Sequence, residues 1–346
     1  MEDELTRRNF LIKAGAGIAG AALSFCLPSC TINKFNIKKL DRFTYYDMKS
    51  LTTYLKMGHC APAVMDAILH FLDKKDDYMV QLSSGFPGGI GGLGYECGGI
   101  TSSIMVLGME LGYNYNQREV PNIIKYGLLN IKKFKEKNQY IICSKIQNNG
   151  INACKNVIAT APKICLYCTR VDDPFIKIEI QSNKAYINIL NYFQNNSFHC
   201  THSVLYNLSN IIDINDKILR VSWGFVGGTL LQGLTCGALT AGVLAIGTKF
   251  GASKDKFSRV MKLMRMMKKN EDYNKENLNN FHKAMMISKD FGKWFEKEFG
   301  SSQCKEITQC NFSSCDDIDN YISNKKLNNC RKIVSKVSEK IEEILI

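Results

Sequence analysis

Cysteine is the residue type in this chain most able to do chemistry, with fourteen copies in 346 residues. A chain of this length buries an adequate core without cross-links, so the cysteines are not needed as a small-protein scaffold. They are spread along the sequence, which suits sites assembled from distant segments. Cys97 and Cys236 each follow a glycine-rich segment and precede an apolar run with helical character. A cysteine at a helix N-terminus faces the positive end of the helix dipole, which favours the thiolate. Thiolate is the form that attacks disulfides and binds metals. The flanking glycines allow tight turns and close approach of the backbone to whatever the sulfur holds. Gly108 and Gly247 fall inside the following helices, where glycine costs ~1 kcal/mol against alanine unless something packs close.

The elements that must position these cysteines occur twice. Residues 85–112 read GFPGGIGGLGYECGGITSSIMVLGMELG and residues 224–251 read GFVGGTLLQGLTCGALTAGVLAIGTKFG. At a constant offset of 139 these segments share ten identities in 28 positions, Cys97/Cys236 and Gly108/Gly247 among them. Upstream, His59-Cys60 matches His199-Cys200 at an offset of 140. Downstream, FKEKNQYIICSKI (134–146) lies against FEKEFGSSQCKEI (295–307), placing Cys143 over Cys304 at an offset of 161. The larger offset implies an insertion in the second copy, assigned to the lysine-rich stretch around residues 257–286. A repeat of this kind is the signature of a duplicated unit.

The expected organisation is a first copy over residues 43–168, a linker over 169–191 and a second copy over 192–346. Apolar residues recur at helical spacing, as in Val64, Ile68, Phe71 and Leu72, or Ile333, Val337, Ile341 and Ile344. The alternation IKIEI near residue 177 suits a short strand pair or a helix start. The expected fold class is therefore all-α: two tandem homologous helical domains, each with a glycine-rich turn leading into a buried helix.

In order, each copy shows a Cys, then GF-x-GG, then CG[GA]xT, then Gly-x-x-x-Gly, then a Cys before [KS]-x-Ile, then a last Cys. This order resembles the "C-GCAxxG-C-C" family of redox-active proteins, over most of each copy. The resemblance implies a redox role carried by Cys200, Cys236, Cys304 and Cys330 in the second copy. In the first copy it implies Cys60, Cys97 and Cys143, completed by either Cys154 or Cys168. Cys154 has the better local context (CKNVI against CRKIV) and Cys168 the better spacing. Gly98 and Gly237 are the expected cofactor-approach residues beside the central cysteines. The family's glycine five residues after the central cysteine is Ser102 in one copy and Ala241 in the other, both small changes in volume.

Three chemistries are compatible with these sets. Four thiolates per copy are the usual ligand set of an iron–sulfur cluster, although the long spacings match no compact ferredoxin run. Alternatively, the cysteines cycle between dithiol and disulfide in an oxidising compartment. His59 and His199 sit beside Cys60 and Cys200, but adjacent residues on a helix point in different directions. A third class is a non-catalytic protein with static disulfides or with structural zinc held by four cysteines. Cys165-Leu166-Tyr167-Cys168 is followed by Thr169 rather than histidine, which argues against covalent haem. Nucleotide-binding and flavin fingerprints are also absent, so any catalysis would rest on sulfur or on a bound metal. Cys310 and Cys315 lack counterparts in the first copy and either pair with each other or stay free. Cys165 reads as a core thiol or an alternative partner for Cys168, and His202, His282, Trp223 and Trp294 read as packing or surface residues.

Residues 6–13, TRRNFLIK, followed by a Gly- and Ala-rich apolar stretch, resemble a twin-arginine export signal over residues 1–30. The expectation is a periplasmic location or one on the outer face of the cell membrane. Leu27-Pro28-Ser29-Cys30 resembles a lipoprotein cleavage box, so Cys30 is a candidate lipid anchor. The net charge of +13 comes mainly from lysines scattered over helical stretches, a solvated face. No motif or interleaved aromatics point to nucleic acid. The sequence names no redox partner protein.

Overall fold

In the computed structural model the described residues are 45–113, 117–170, 184–253, 262 and 280–346. The signal segment with Cys30, the IKIEI stretch and most of the inserted lysine-rich segment lie outside them. The fold is all-α; among the described residues, isolated bridges are the only β pairing.

The first copy runs α1 (Tyr45–Met57), α2 (Cys60–Phe71), α3 (Asp77–Leu82), a 3-10 turn (Ser83–Gly85), α4 (Gly98–Leu111), α5 (Asn122–Asn138), α6 (Cys143–Gln147) and α7 (Ile151–Cys168). The second runs α8 (Lys184–Asn195), α9 (Cys200–Asn207), α10 (Asp216–Ser222), a 3-10 turn (Trp223–Phe225), α11 (Gly237–Phe250), α12 (Asn280–Phe299), α13 (Cys304–Thr308), α14 (Cys315–Ser323) and α15 (Leu327–Leu345). Among these helices, each of the first copy has a partner in the second; only α14 has none. Helix α8 starts within the stretch expected as linker, and its Tyr186, Ile189, Leu190 and Phe193 are buried. It corresponds to α1 at the same offset of 139.

Local chemistry explains the shorter elements. Asp76 caps α3 by accepting from the Met79 N–H at 3.1 Å, and Asn215 caps α10 by accepting from the Ile218 N–H at 3.1 Å. In α15, buried Ile333, Val337 and Ile341 recur every four residues, giving one apolar face against the rest. By contrast, α4 is buried at every residue from 98 to 108 and α11 from 237 to 247. A helix apolar all round belongs at a core centre, and these two carry the central cysteines at their starts.

The copies pack face to face about a pseudo-two-fold axis. Two pairs of equivalent residues meet on it. Phe86 and Phe225 stack at 6.3 Å between ring centroids, and the Glu96 carboxylate accepts from both the N–H and the hydroxyl of Thr235. The α3 segment of the first copy packs on α11, and α10 of the second packs on α4. Arg220 donates to the Met109 carbonyl at 2.7 Å near the C-terminal end of α4. Lys217 pairs with Asp76 across the same interface. The buried apolar side chains of both halves form one continuous core.

Glu96 is 6% exposed, and burial pushes its pKa above the ordinary carboxylate value despite the two Thr235 donors. The folded state therefore holds this proton more tightly than the unfolded chain. Stability from this group is greatest below the ordinary carboxylate pKa of about 4.3 and falls as pH rises towards the folded value. In Glu96→Gln the amide still accepts from the Thr235 N–H and donates to its hydroxyl. The expected result is that Tm declines less from pH 4.5 upward in Glu96→Gln than in the parent. Parallel Tm–pH curves for the two proteins would show that Glu96 titrates normally.

Candidate functional site

All eight cysteines of the two sets sit at or just inside helix N-termini. Cys60 and Cys200 are the first residues of α2 and α9, and Cys97 and Cys236 are the N-caps of α4 and α11. Cys143 and Cys304 begin α6 and α13, while Cys154 and Cys330 lie in the first turns of α7 and α15. In each copy a short antiparallel bridge holds the second and third cysteines side by side. The Cys97 N–H donates to the Ile141 carbonyl at 2.7 Å and the Cys143 N–H to the Tyr95 carbonyl at 2.6 Å. Cys236 to Ser302 at 2.8 Å and Cys304 to Leu234 at 2.7 Å repeat the arrangement. A glycine-rich loop with left-handed backbone, Gly88 (φ 69°) and Gly89 (φ 71°) against Gly227 (φ 59°) and Gly228 (φ 72°), makes this return possible.

In the second copy, Cys200, Cys236, Cys304 and Cys330 line one cavity of about 20 Å3 walled by Phe193, Phe198, Phe312, Tyr321 and Ile333. In the first, Cys60, Cys97, Cys143 and Cys154 lie close enough to perturb one another's ionisation. Cys168 is buried elsewhere, beside Cys165 and the Asn130 side chain. Fourteen residues of helix separate it from Cys154, about 21 Å at 1.5 Å per residue, so the two cannot complete the same set.

The glycines flanking the central cysteines act by their small size. A Cβ on Gly98 would come 3.0 Å from the Cys60 sulfur and 2.9 Å from the Ala61 Cβ. On Gly237 it would strike the Cys200 sulfur and approach the Phe225 carbonyl oxygen to 2.7 Å. The loop and helix N–H groups are thereby free to face sulfur. Those of Gly88, Ala61 and Gly98 point at Cys60, and those of Gly99 and Ile100 at Cys97. Gly227 and Thr201 do the same at Cys200, and Ala238 and Leu239 at Cys236.

The expectation of favoured thiolates at Cys97 and Cys236 is corrected here. Burial pushes both thiols up, and their cysteine neighbours push them further. The N–H donors lower them by less than desolvation raises them. Both thiols stay protonated unless a positive centre compensates them. The described cysteines are all free, Cys310 and Cys315 included, the first buried and the second exposed. Among the described residues, no three cysteine, histidine or carboxylate side chains are spaced to hold a single metal ion.

The repeated arrangement has a counterpart among known proteins. The family model described as "Putative redox-active protein (C_GCAxxG_C_C)" matches residues 58–170 and 198–344. The chain belongs to this family. It carries two tandem copies of the family's domain, and the redox role comes with membership. No curated protein and no solved structure matches the chain. Both matched regions span all four cysteines of their copy. Sequence reasoning missed Tyr321 and Phe312 as site residues, because both lie in a segment after Cys304 that has no counterpart after Cys143.

Proposed function

We propose that this chain is an exported electron carrier in which each four-cysteine set holds an iron–sulfur cluster. The observation that carries the proposal is the convergence of four helix N-termini, each bearing one cysteine, on one site in each copy, which in the second is walled by apolar side chains. Cys60, Cys97, Cys143 and Cys154 would hold one cluster and Cys200, Cys236, Cys304 and Cys330 the other. The donor set fits such a group. Four thiolates are its usual ligands, the positive helix ends offset their charge, and backbone N–H groups face the first two sulfurs of each set. Such a cluster supplies reversible one-electron transfer. The protein's own residues present the sulfurs, exclude water and set the energy of the added charge, while the iron would be the positive centre that keeps the sulfurs as thiolates.

Export by the twin-arginine route, which moves folded proteins, agrees with a site assembled before translocation. Arg7 and Arg8 motivate that route, and Cys30 the tether on the outer membrane face. Cell fractionation that finds the chain in the cytoplasm would overturn this half of the proposal. No helix among the described residues is long and apolar enough to cross a membrane.

A second function, dithiol–disulfide exchange, is favoured by the cavity between the second copy's sulfurs. Its volume of about 20 Å3 admits about one water, which suits sulfurs that close into a bond. Anaerobic purification of the full chain discriminates the two. Iron and acid-labile sulfide in matched amounts, with visible absorption that bleaches on reduction, are expected. A colourless protein with eight more titratable thiols after reduction than before would transfer the function to disulfide exchange.

A further inference from the structure

The two sites differ at their fourth cysteine. In the first copy three residues, Asn148 to Gly150, connect α6 to α7, which carries Cys154. In the second, residues 309–326 intervene between α13 and α15, and they lay α14 over the site. Tyr321 on α14 is fully buried, and its hydroxyl lies 3.3 Å from the Cys330 sulfur. Its ring is fixed by Phe312 at 5.7 Å, Phe193 at 6.2 Å and Tyr192 at 6.3 Å, all edge-on or near it. Among the described residues no hydroxyl reaches Cys154.

We propose that Tyr321 is a positioning residue that sets the second site's reduction potential apart from the first by donating its O–H to the Cys330 sulfur; this rests on the iron–sulfur assignment above. A ligating sulfur is a thiolate and has no proton to give, so the tyrosine hydroxyl must be the donor. A tyrosine hydroxyl carries its proton at neutral pH and is a ready donor. Reduction adds one electron and one negative charge to the cluster and its sulfurs. A hydrogen bond to sulfur stabilises that added charge, and hydrogen bonds and solvent exposure are established determinants of cluster potential. No proton transfers and no bond breaks; one electron enters or leaves. The duplicated sites are thus made unequal by one inserted helix, which gives an electron a preferred side of the molecule.

The test is Tyr321→Phe in the full chain, purified anaerobically beside the parent and titrated by spectroelectrochemistry. The ring and its aromatic contacts persist in the variant, so iron content and Tm should match the parent. The parent is expected to show two midpoint potentials, and the variant a fall in one of them with the other unmoved. Two unmoved potentials, or equal shifts in both, would overturn the role of Tyr321 while leaving the clusters in place. Iron missing from the parent would overturn the cluster assignment, and this inference with it. Should Tyr321→Phe load poorly, Phe312→Leu serves as the reference for lost cover. A potential shift as large in Phe312→Leu as in Tyr321→Phe also rules the hydroxyl out.

Discussion

Cys236→Ser is expected to remove about half of the iron and of the visible absorption, because a cluster needs its full set of four protein ligands. Serine is close to cysteine in size, so the apolar wall around position 236 persists and the loss reads ligation rather than packing. The first copy assembles its own set from α2, α4, α6 and α7, so Cys97→Ser should remove the other half. The double variant should be colourless and folded. Cys154→Ser should behave like Cys97→Ser, whereas Cys168→Ser should leave iron unchanged, since Cys168 sits with Cys165 and Asn130. The measurement is iron and sulfide per chain, with far-ultraviolet circular dichroism as the check on folding. Loss of all iron in either single variant would mean one shared site straddling the pseudo-two-fold axis. Full iron in the double variant would remove these cysteines from the chemistry altogether.

The duplication was legible because each copy must solve the same backbone problem with the same residue types. Gly88/Gly227, Gly89/Gly228 and Gly94/Gly233 all have positive φ, and glycine enters that region without penalty. The same loop also hides a feature no sequence rule would find. Thr229, Leu230 and Leu231 hold φ of 54°, 57° and 61° where the first copy has Ile90, Gly91 and Gly92. Such a left-handed run costs roughly 1–2 kcal/mol per L-residue. The complete burial of Leu230, which seats on Gly127 of the first copy, offsets that cost. Pairing across the axis was equally invisible. Identity between Phe86 and Phe225 shows equivalence, but only tertiary structure brings the two rings together.

The thiol ionisation was misjudged for a related reason. The dipole is a property of one helix and can be read locally, whereas desolvation is set by every element around the sulfur. The fourth cysteine of the first copy was ambiguous because local context favoured Cys154 and spacing favoured Cys168. Only the path of α7 separates them. The short connection between α6 and α7, three residues against eighteen in the second copy, is what moved the spacing. The segment that lengthens the second copy by the same amount brings Tyr321 and Phe312 over the site.

Gly108→Ala and Gly247→Ala are each expected to destabilise the protein, although alanine is the better helix former. In an isolated helix the change gains ~1 kcal/mol. Here the new methyl meets backbone from the other copy. On Gly108 it would stand 2.5 Å from the Arg220 carbonyl oxygen, and on Gly247 2.8 Å from the Leu82 carbonyl oxygen and 3.0 Å from the Leu82 Cα. A side-chain neighbour could rotate away, but a helix backbone can only shift as a body. Overpacking of this kind costs about 1–3 kcal/mol and sits at the upper end where nothing yields. The clash therefore outweighs the propensity gain, for a net loss of about 2 kcal/mol and a Tm lower by several degrees. The two substitutions act on symmetry-related halves of one interface. The first already eases the packing that the second would strain, so the double variant should lose less than the sum. Thermal denaturation of the three variants checks this. A raised Tm in either single variant would mean that α3 and α10 do not press on the central helices. Strict additivity would mean that the two halves of the interface yield independently.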